Sequence, residues 1–275
     1  MNRIDAHQHF WRIDARRGAW PPAELDAIHR DFEPGDLAPL LRAAGVGGTV
    51  VVQSLDRDED TDYLLDLADR VPFVLGVVGW VDMKSPAAPE RIAALAARGM
   101  FKGVRPMLQD IADTNWIDDL AIAPAVDALC RHGLCFDALV TPRNLPPLHR
   151  FAERRDRLRI VVDHGAKPFI GEGRFADWRG AMAGLARLPN VFCKLSGLLT
   201  EAGDQRPEAV RPYAETILDL FGAERTMWGS DWPVLNLASN YEAWLSQCLD
   251  IVSSRDHDAV FANTATAFYR LKSPE

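Results

Sequence analysis

Short apolar runs recur eight times along this 275-residue chain, each followed by a longer segment with helical spacing. No single motif restricts the fold as much as that alternation. The runs cover residues 4–10, 49–54, 73–81, 101–107, 135–140, 159–165, 191–197 and 226–232, and all are rich in Val, Ile, Leu or Phe. The first predicted helix starts at the N-cap Asp36, carries Leu37, Leu40 and Leu41 on one face and stops at Gly45. The same grammar predicts helices at 60–70, 89–98, 117–131, 145–155, 174–187 and 207–221, with Gly99, Gly133 and Gly222 as stops. Two more, 241–253 and 258–271, follow the last strand.

Strands and helices that alternate without a linker or a composition break point to one α/β domain spanning 1–275, a closed (β/α)8 TIM barrel. An open dinucleotide-binding sheet would need a glycine-rich turn after its first strand, where this chain has His9-Phe10-Trp11. Gly45-Val46-Gly47-Gly48 follows a helix and enters a strand, the wrong order for cradling phosphate. Helix-to-strand links are short, whereas strand-to-helix links are long at 11–35, 108–116, 166–173 and 198–206. In a barrel the long links all emerge at the C-terminal face, where such folds place their active sites. Residues 11–35, with Trp11, Trp20, Pro21 and Pro22, are long enough for a lid.

Composition narrows the partners. A formal net charge of −8 and the lack of a basic stripe argue against a nucleic-acid partner and suit a small-molecule substrate. No run approaches the roughly 18 apolar residues of a membrane span, and the polar start of the chain argues against a secretory signal. The four cysteines (Cys130, Cys135, Cys193, Cys248) form no metal or redox spacing, so reduced thiols and a cytoplasmic location are expected.

Polar residues then cluster at the C-terminal ends of these apolar strands. Strand one ends in His7 and His9, and strand two in Gln53. Strand four supplies Lys102 and Arg105, strand five Asp137, and strand six Asp163 and His164. Lys194 and Ser196 stand on strand seven, and Ser230 and Asp231 on strand eight. One such residue is unremarkable, but so many charged groups at one mouth are costly to desolvate and mark a catalytic pocket. His7, His9 and Asp231 make a nitrogen and oxygen set that can hold one Zn2+ with a position left open. Without metal, the same imidazoles can polarise a carbonyl while Asp231 takes a proton from water, with His164 close by. Both routes are hydrolysis. The chain has no G-x-S-x-G elbow for a serine nucleophile. His29, His132, His149 and His257 fall outside the strands and are expected on the solvated surface.

Three segments carry a resemblance to a known family: Asp5-Ala6-His7-Gln8-His9-Phe10-Trp11, Lys102-Gly103-Val104-Arg105 and Asp163-His164-Gly165-Ala166-Lys167-Pro168. With Gly229-Ser230-Asp231-Trp232-Pro233, they make the chain resemble the amidohydrolase superfamily, and within it the amidohydrolase-2 sugar lactonases, a group that includes L-fuconolactone and L-rhamnonolactone hydrolases. The resemblance implies hydrolysis of an aldonolactone, with an L-fucono-1,4-lactone-like substrate expected. Asp231 would be the general base, and His164 and His9 would act near the carbonyl. Lys102, Arg105, Lys167, Trp11 and Asp137 are the implied substrate contacts. His7, His9 and Asp231 would hold one divalent metal, expected to be zinc, with metal-free catalysis as the alternative. Asp137 stands where binuclear members carry a strand-five histidine, so a two-metal centre is not expected. A zinc-dependent decarboxylase of the same subfamily, which would want that histidine, is one alternative. A lactonase for a muconolactone or pyrone is the other.

Overall fold

The computed structural model describes residues 3–272, so residues 1, 2 and 273–275 of the expected single unit lie outside the described residues. Among the described residues, eight parallel strands follow one another in sheet order. They are β1 (Arg3–Gln8), β2 (Val46–Val52), β3 (Val74–Gly79), β4 (Phe101–Val104), β5 (Cys135–Ala138), β6 (Arg159–Val162), β7 (Val191–Leu195) and β8 (Thr226–Trp228). The ring closes just beyond the strand ends, where Asp231 N–H donates to His7 O and His9 N–H to Trp232 O, each at 2.8 Å. A Cβ at Gly229 would lie 2.7 Å from that of His7, so glycine permits this close approach. The expected (β/α)8 barrel is the observed fold.

The helices are α1 (Pro34–Ala44), α2 (Asp58–Ala68), α3 (Ala88–Ala96), α4 (Ala123–His132), α5 (Leu145–Arg154), α6 (Phe175–Ala186), α7 (Arg211–Phe221), α8 (Tyr241–Ile251) and α9 (Thr264–Tyr269). Helices α1 to α8 present apolar stripes to the outside of the barrel. In α5, Leu145, Leu148, Phe151 and Ala152 recur at helical spacing and are buried. Full burial of each such large side chain contributes about 1.5–3 kcal/mol. A second core fills the barrel itself with Ile4, Ala6, Val50, Val52, Val78, Val161 and Met227, and Phe268 and Tyr269 of α9 pack against it.

Three expectations are corrected. Asp36 is not the N-cap of α1: the helix begins at Pro34, and the Asp36 carboxylate accepts the N–H of the capping Glu33 at 2.9 Å. Proline in the first turn needs no N–H partner, which moves the start forward. The single helix expected at 117–131 is divided into tight turns at Trp116–Asp118 and Leu120–Ile122 followed by α4. There the Asp119 side chain caps the second turn by accepting from Ala121 N at 2.9 Å. Finally, β6 and β8 end before the polar residues placed on them. His164 and Asp231 have φ of 54° and 58°, a left-handed backbone that cannot continue a strand.

The segment 11–35 is tied down at its base, where Trp11 and Phe32 form an antiparallel bridge with bonds of 3.0 and 2.9 Å. The four cysteines are free thiols. Among the described residues no helix is long and apolar enough to cross a membrane.

Candidate active site

The closure of β8 on β1 delivers the first two histidines and the aspartate together. His7 Nε2 lies 3.3 Å from His9 Nε2, and Asp231 Oδ1 lies 3.7 Å from the first and 3.3 Å from the second. His9 Nδ1 stands 2.7 Å from Val52 O, a pure acceptor, so that nitrogen carries the proton and Nε2 turns a lone pair to the pocket. Asp5, which the sequence reading did not single out, clamps the arrangement from behind. Its carboxylate accepts from Ser230 N–H at 2.8 Å and Tyr241 O–H at 3.0 Å, binding the β8 exit to β1. Burial pushes the Asp5 carboxyl up to about 6.

His164 arrives from β6 through an unusual turn. Residues His164, Gly165, Ala166 and Lys167 all have positive φ, and such a conformation costs about 1–3 kcal/mol for each non-glycine. The turn is held by Trp178 Nε1–H donating to Gly165 O at 2.7 Å and by Lys167 N–H donating to His164 O at 2.9 Å. Ser196 Oγ lies 2.9 Å from His164 Nδ1. A Cβ at Gly197 would lie 2.4 Å from the same nitrogen, so glycine there makes room for the ring. The result is His164 Nε2 at 3.8 Å from Asp231 Oδ1.

Beneath the pocket lies a sealed polar layer. Lys194 Nζ is 2.6 Å from Asp137 Oδ2, 2.9 Å from Asp163 Oδ1 and 3.1 Å from His7 Nδ1, with lysine and both aspartates wholly buried. Tyr269 O–H donates to Asp137 at 2.6 Å. Arg105 joins this layer to the mouth, with Nη1 at 3.4 Å from both Asp163 Oδ2 and His7 Nε2 and Nη2 donating to Gln53 O. Burial alone would raise Asp163, but Lys194, His7 and Arg105 hold it well below the usual carboxylate range.

Desolvation keeps the imidazoles neutral. Burial lowers His164 to about 4, and burial together with the Lys194 charge lowers His7 well below its ordinary value. His9 is also lowered, by burial. Burial would raise Asp231, but the His164 ring and the polar contact with His9 outweigh it and hold the carboxyl below its ordinary range, ionised.

A cavity of about 320 Å3 opens over this cluster, and His9, His164, Asp231, Arg105, Lys167 and Trp20 line it. Three expected substrate contacts are elsewhere. Lys102 lies at the opposite end of the barrel, where Nζ donates to Gly99 O at 2.8 Å, because it enters at the second residue of β4 and not its end. Asp137 is sealed beneath the mouth by Lys194 and Tyr269. Trp11 is buried in the base of the 11–35 segment, with Nε1–H donating to Arg30 O at 2.8 Å; Trp20 from the same segment reaches the cavity instead. Of the four remaining histidines only His132 is exposed. His29, for example, is half-buried with Nδ1 2.9 Å from Pro21 O.

The spacing can be tested against a metal. Ligands at about 2.0–2.1 Å from a tetrahedral zinc stand about 3.3–3.4 Å apart. The three separations among His7 Nε2, His9 Nε2 and Asp231 Oδ1, at 3.3, 3.3 and 3.7 Å, fit one ion. A second possible set, His7, Asp163 and His164, already has the Lys194 ammonium beside two of its members. That cation opposes a second metal.

A parallel barrel with three histidines and an aspartate converging at its C-terminal mouth defines the class, a (β/α)8 barrel with a hydrolase-type pocket. The family model described as Amidohydrolase matches residues 4–271, and the chain belongs to that family. It is 56% identical to an L-fucono-1,5-lactonase from Burkholderia ambifaria, over 99% of this chain and 97% of that protein. An L-fucono-1,5-lactonase from Burkholderia multivorans is 37% identical, over 99% and 97% of the two chains. A crystal structure of an amidohydrolase from Burkholderia multivorans with bound zinc superposes with a TM-score of 0.92 at 37% identity, over 99% of this chain and 100% of that one.

Proposed function

We propose that this chain is a carboxylic ester hydrolase that opens a sugar lactone of the L-fuconolactone type to its aldonic acid, with Asp231 as the base that activates water. The observation that carries this reading is the ionised, buried Asp231 facing a cavity among three imidazoles. The two relatives named for L-fucono-1,5-lactone support the substrate class. They favour a six-membered ring over the five-membered one expected from the sequence.

In this mechanism the lactone carbonyl rests against the mouth, with its oxygen toward Arg105. Asp231 accepts a proton from water as the water oxygen bonds to the carbonyl carbon. The Arg105 guanidinium stabilises the developing oxyanion in a site shielded from bulk water. Collapse breaks the bond to the ring oxygen, and the ring opens to a hydroxy acid. His7, His9 and Asp231 would hold a divalent ion, which when bound polarises the carbonyl or acidifies water. Trp20 closes one side of the cavity, so the 11–35 segment supplies part of the substrate wall.

Acid release from a panel of 1,4- and 1,5-aldonolactones, followed with a pH indicator, tests the proposal. Turnover of L-fucono-1,5-lactone should exceed that of lactones with other hydroxyl configurations by at least about tenfold. No acid release above the buffer rate from any lactone would refute it. Chelation that removes the metal should lower the rate by about 100-fold or more if the ion is required, and an unchanged rate in demonstrably stripped protein would assign the chemistry to Asp231 and the histidines alone.

A further inference from the structure

Ring opening calls for a proton at the ring oxygen, and Asp231, which takes one from water, is not the only group on the cavity wall that can give it. When the tetrahedral intermediate collapses, the ring oxygen departs with the bonding electron pair and, as a sugar alkoxide, needs a proton to leave. Among the cavity-lining side chains, Arg105 is turned to His7, Asp163 and Gln53, and His164 Nδ1 is turned to Ser196. Lys167 is the remaining cation on that wall.

Its placement is unusually determined. Lys167 ends the run of positive φ that begins at His164, with φ of 46°, and its own N–H is bound to His164 O. Its Nζ lies 3.7 Å from Glu201 Oε1 of the loop after β7, and both side chains are largely buried. That loop is fixed to the Lys167 loop by Gly171 N–H donating to Glu201 O at 3.1 Å. Glu201 does not line the cavity. Its carboxylate is placed beside the Lys167 ammonium.

Building on the lactonase reading, we propose that Lys167 is the general acid that protonates the departing ring oxygen, and that Glu201 is its positioning residue. The bond from carbonyl carbon to ring oxygen breaks, its electron pair stays on that oxygen, and one proton moves there from Lys167 Nζ. Asp231 by then carries the proton taken from water. Passing it to the Lys167 amine across the shared cavity restores both groups and balances the reaction as lactone plus water to hydroxy acid.

The test separates proton donation from simple binding. Lys167→Arg keeps the charge and the hydrogen-bond donors but is a far weaker acid, and Lys167→Met removes both. On L-fucono-1,5-lactone both variants should lower kcat by about 100-fold or more, with KM within about threefold of wild type. Glu201→Gln should lower kcat by about three- to tenfold, and exogenous ethylammonium should restore part of the rate of Lys167→Ala in a concentration-dependent way. Retention of wild-type kcat by Lys167→Arg, or a loss confined to KM, would overturn the assignment and leave Lys167 as a substrate contact. Failure of the wild-type protein to hydrolyse any lactone is a separate result, and it would remove the lactonase reading itself.

Discussion

The mouth of the barrel and the layer sealed directly beneath it use nearly the same residue types for opposite ends. In the mouth, His9, His164, Asp231, Arg105 and Lys167 surround a cavity. In the layer below, the Lys194 ammonium lies between Asp137 and Asp163, and Tyr269 donates to Asp137. His7 and Arg105 touch both. The difference teaches that a polar residue near a strand end signals depth as much as chemistry. A step of one or two positions along a strand decides whether a carboxylate meets substrate or a buried lysine.

Lys194→Met leaves the wholly buried Asp137 without its cation and Asp163 with Arg105 alone, and removal of one partner from such a buried pair costs about 3–5 kcal/mol. Denaturant unfolding should show that loss, and Lys194→Met combined with Asp137→Asn should recover part of it. A stability unchanged by Lys194→Met would mean the layer is not an interlocked unit.

A somewhat smaller effect belongs to the mouth. Burial holds His164 at about 4 against an ordinary value of 6.5. Between those two pH values the unfolded chain binds a proton that the folded chain does not, so stability falls as pH drops from about 6.5 towards 4. The full span is worth about 3 kcal/mol. Urea unfolding at pH 7 and pH 4.5 should show most of this loss, and His164→Asn should flatten the slope.

The smallest effect lies at the far end of the barrel. Lys102→Ala should change kcat/KM by less than about twofold and stability by no more than about 0.5 kcal/mol, because its ammonium meets only a loop carbonyl away from the cavity. A tenfold loss of activity would contradict that placement.

The fold was highly legible in the sequence because eight strand-and-helix repeats leave few ways to close a sheet. The gathering of His7, His9, His164, Asp231 and Arg105 at one mouth was legible as well, since polar residues at the ends of apolar runs stand out, whereas Lys167 came only from the family resemblance. Lys102 and Asp137 were misplaced because a strand's polar residues do not declare how far they lie from its end. Trp11 was misplaced because the course of the 11–35 segment depends on its bridge to Phe32 and on packing against Trp20, which no local pattern encodes. Asp5 and Glu201 went unseen for a related reason: each acts through a loop distant in sequence, by binding Ser230 and Lys167 respectively.

The most direct test of the central claim is the kcat of Asp231→Asn on L-fucono-1,5-lactone, measured beside calorimetric binding of a non-hydrolysable lactam analogue. The expected result is a fall in kcat of about 1,000-fold with analogue affinity within about fivefold of wild type. A kcat within threefold of wild type would contradict the assignment of Asp231 as the base.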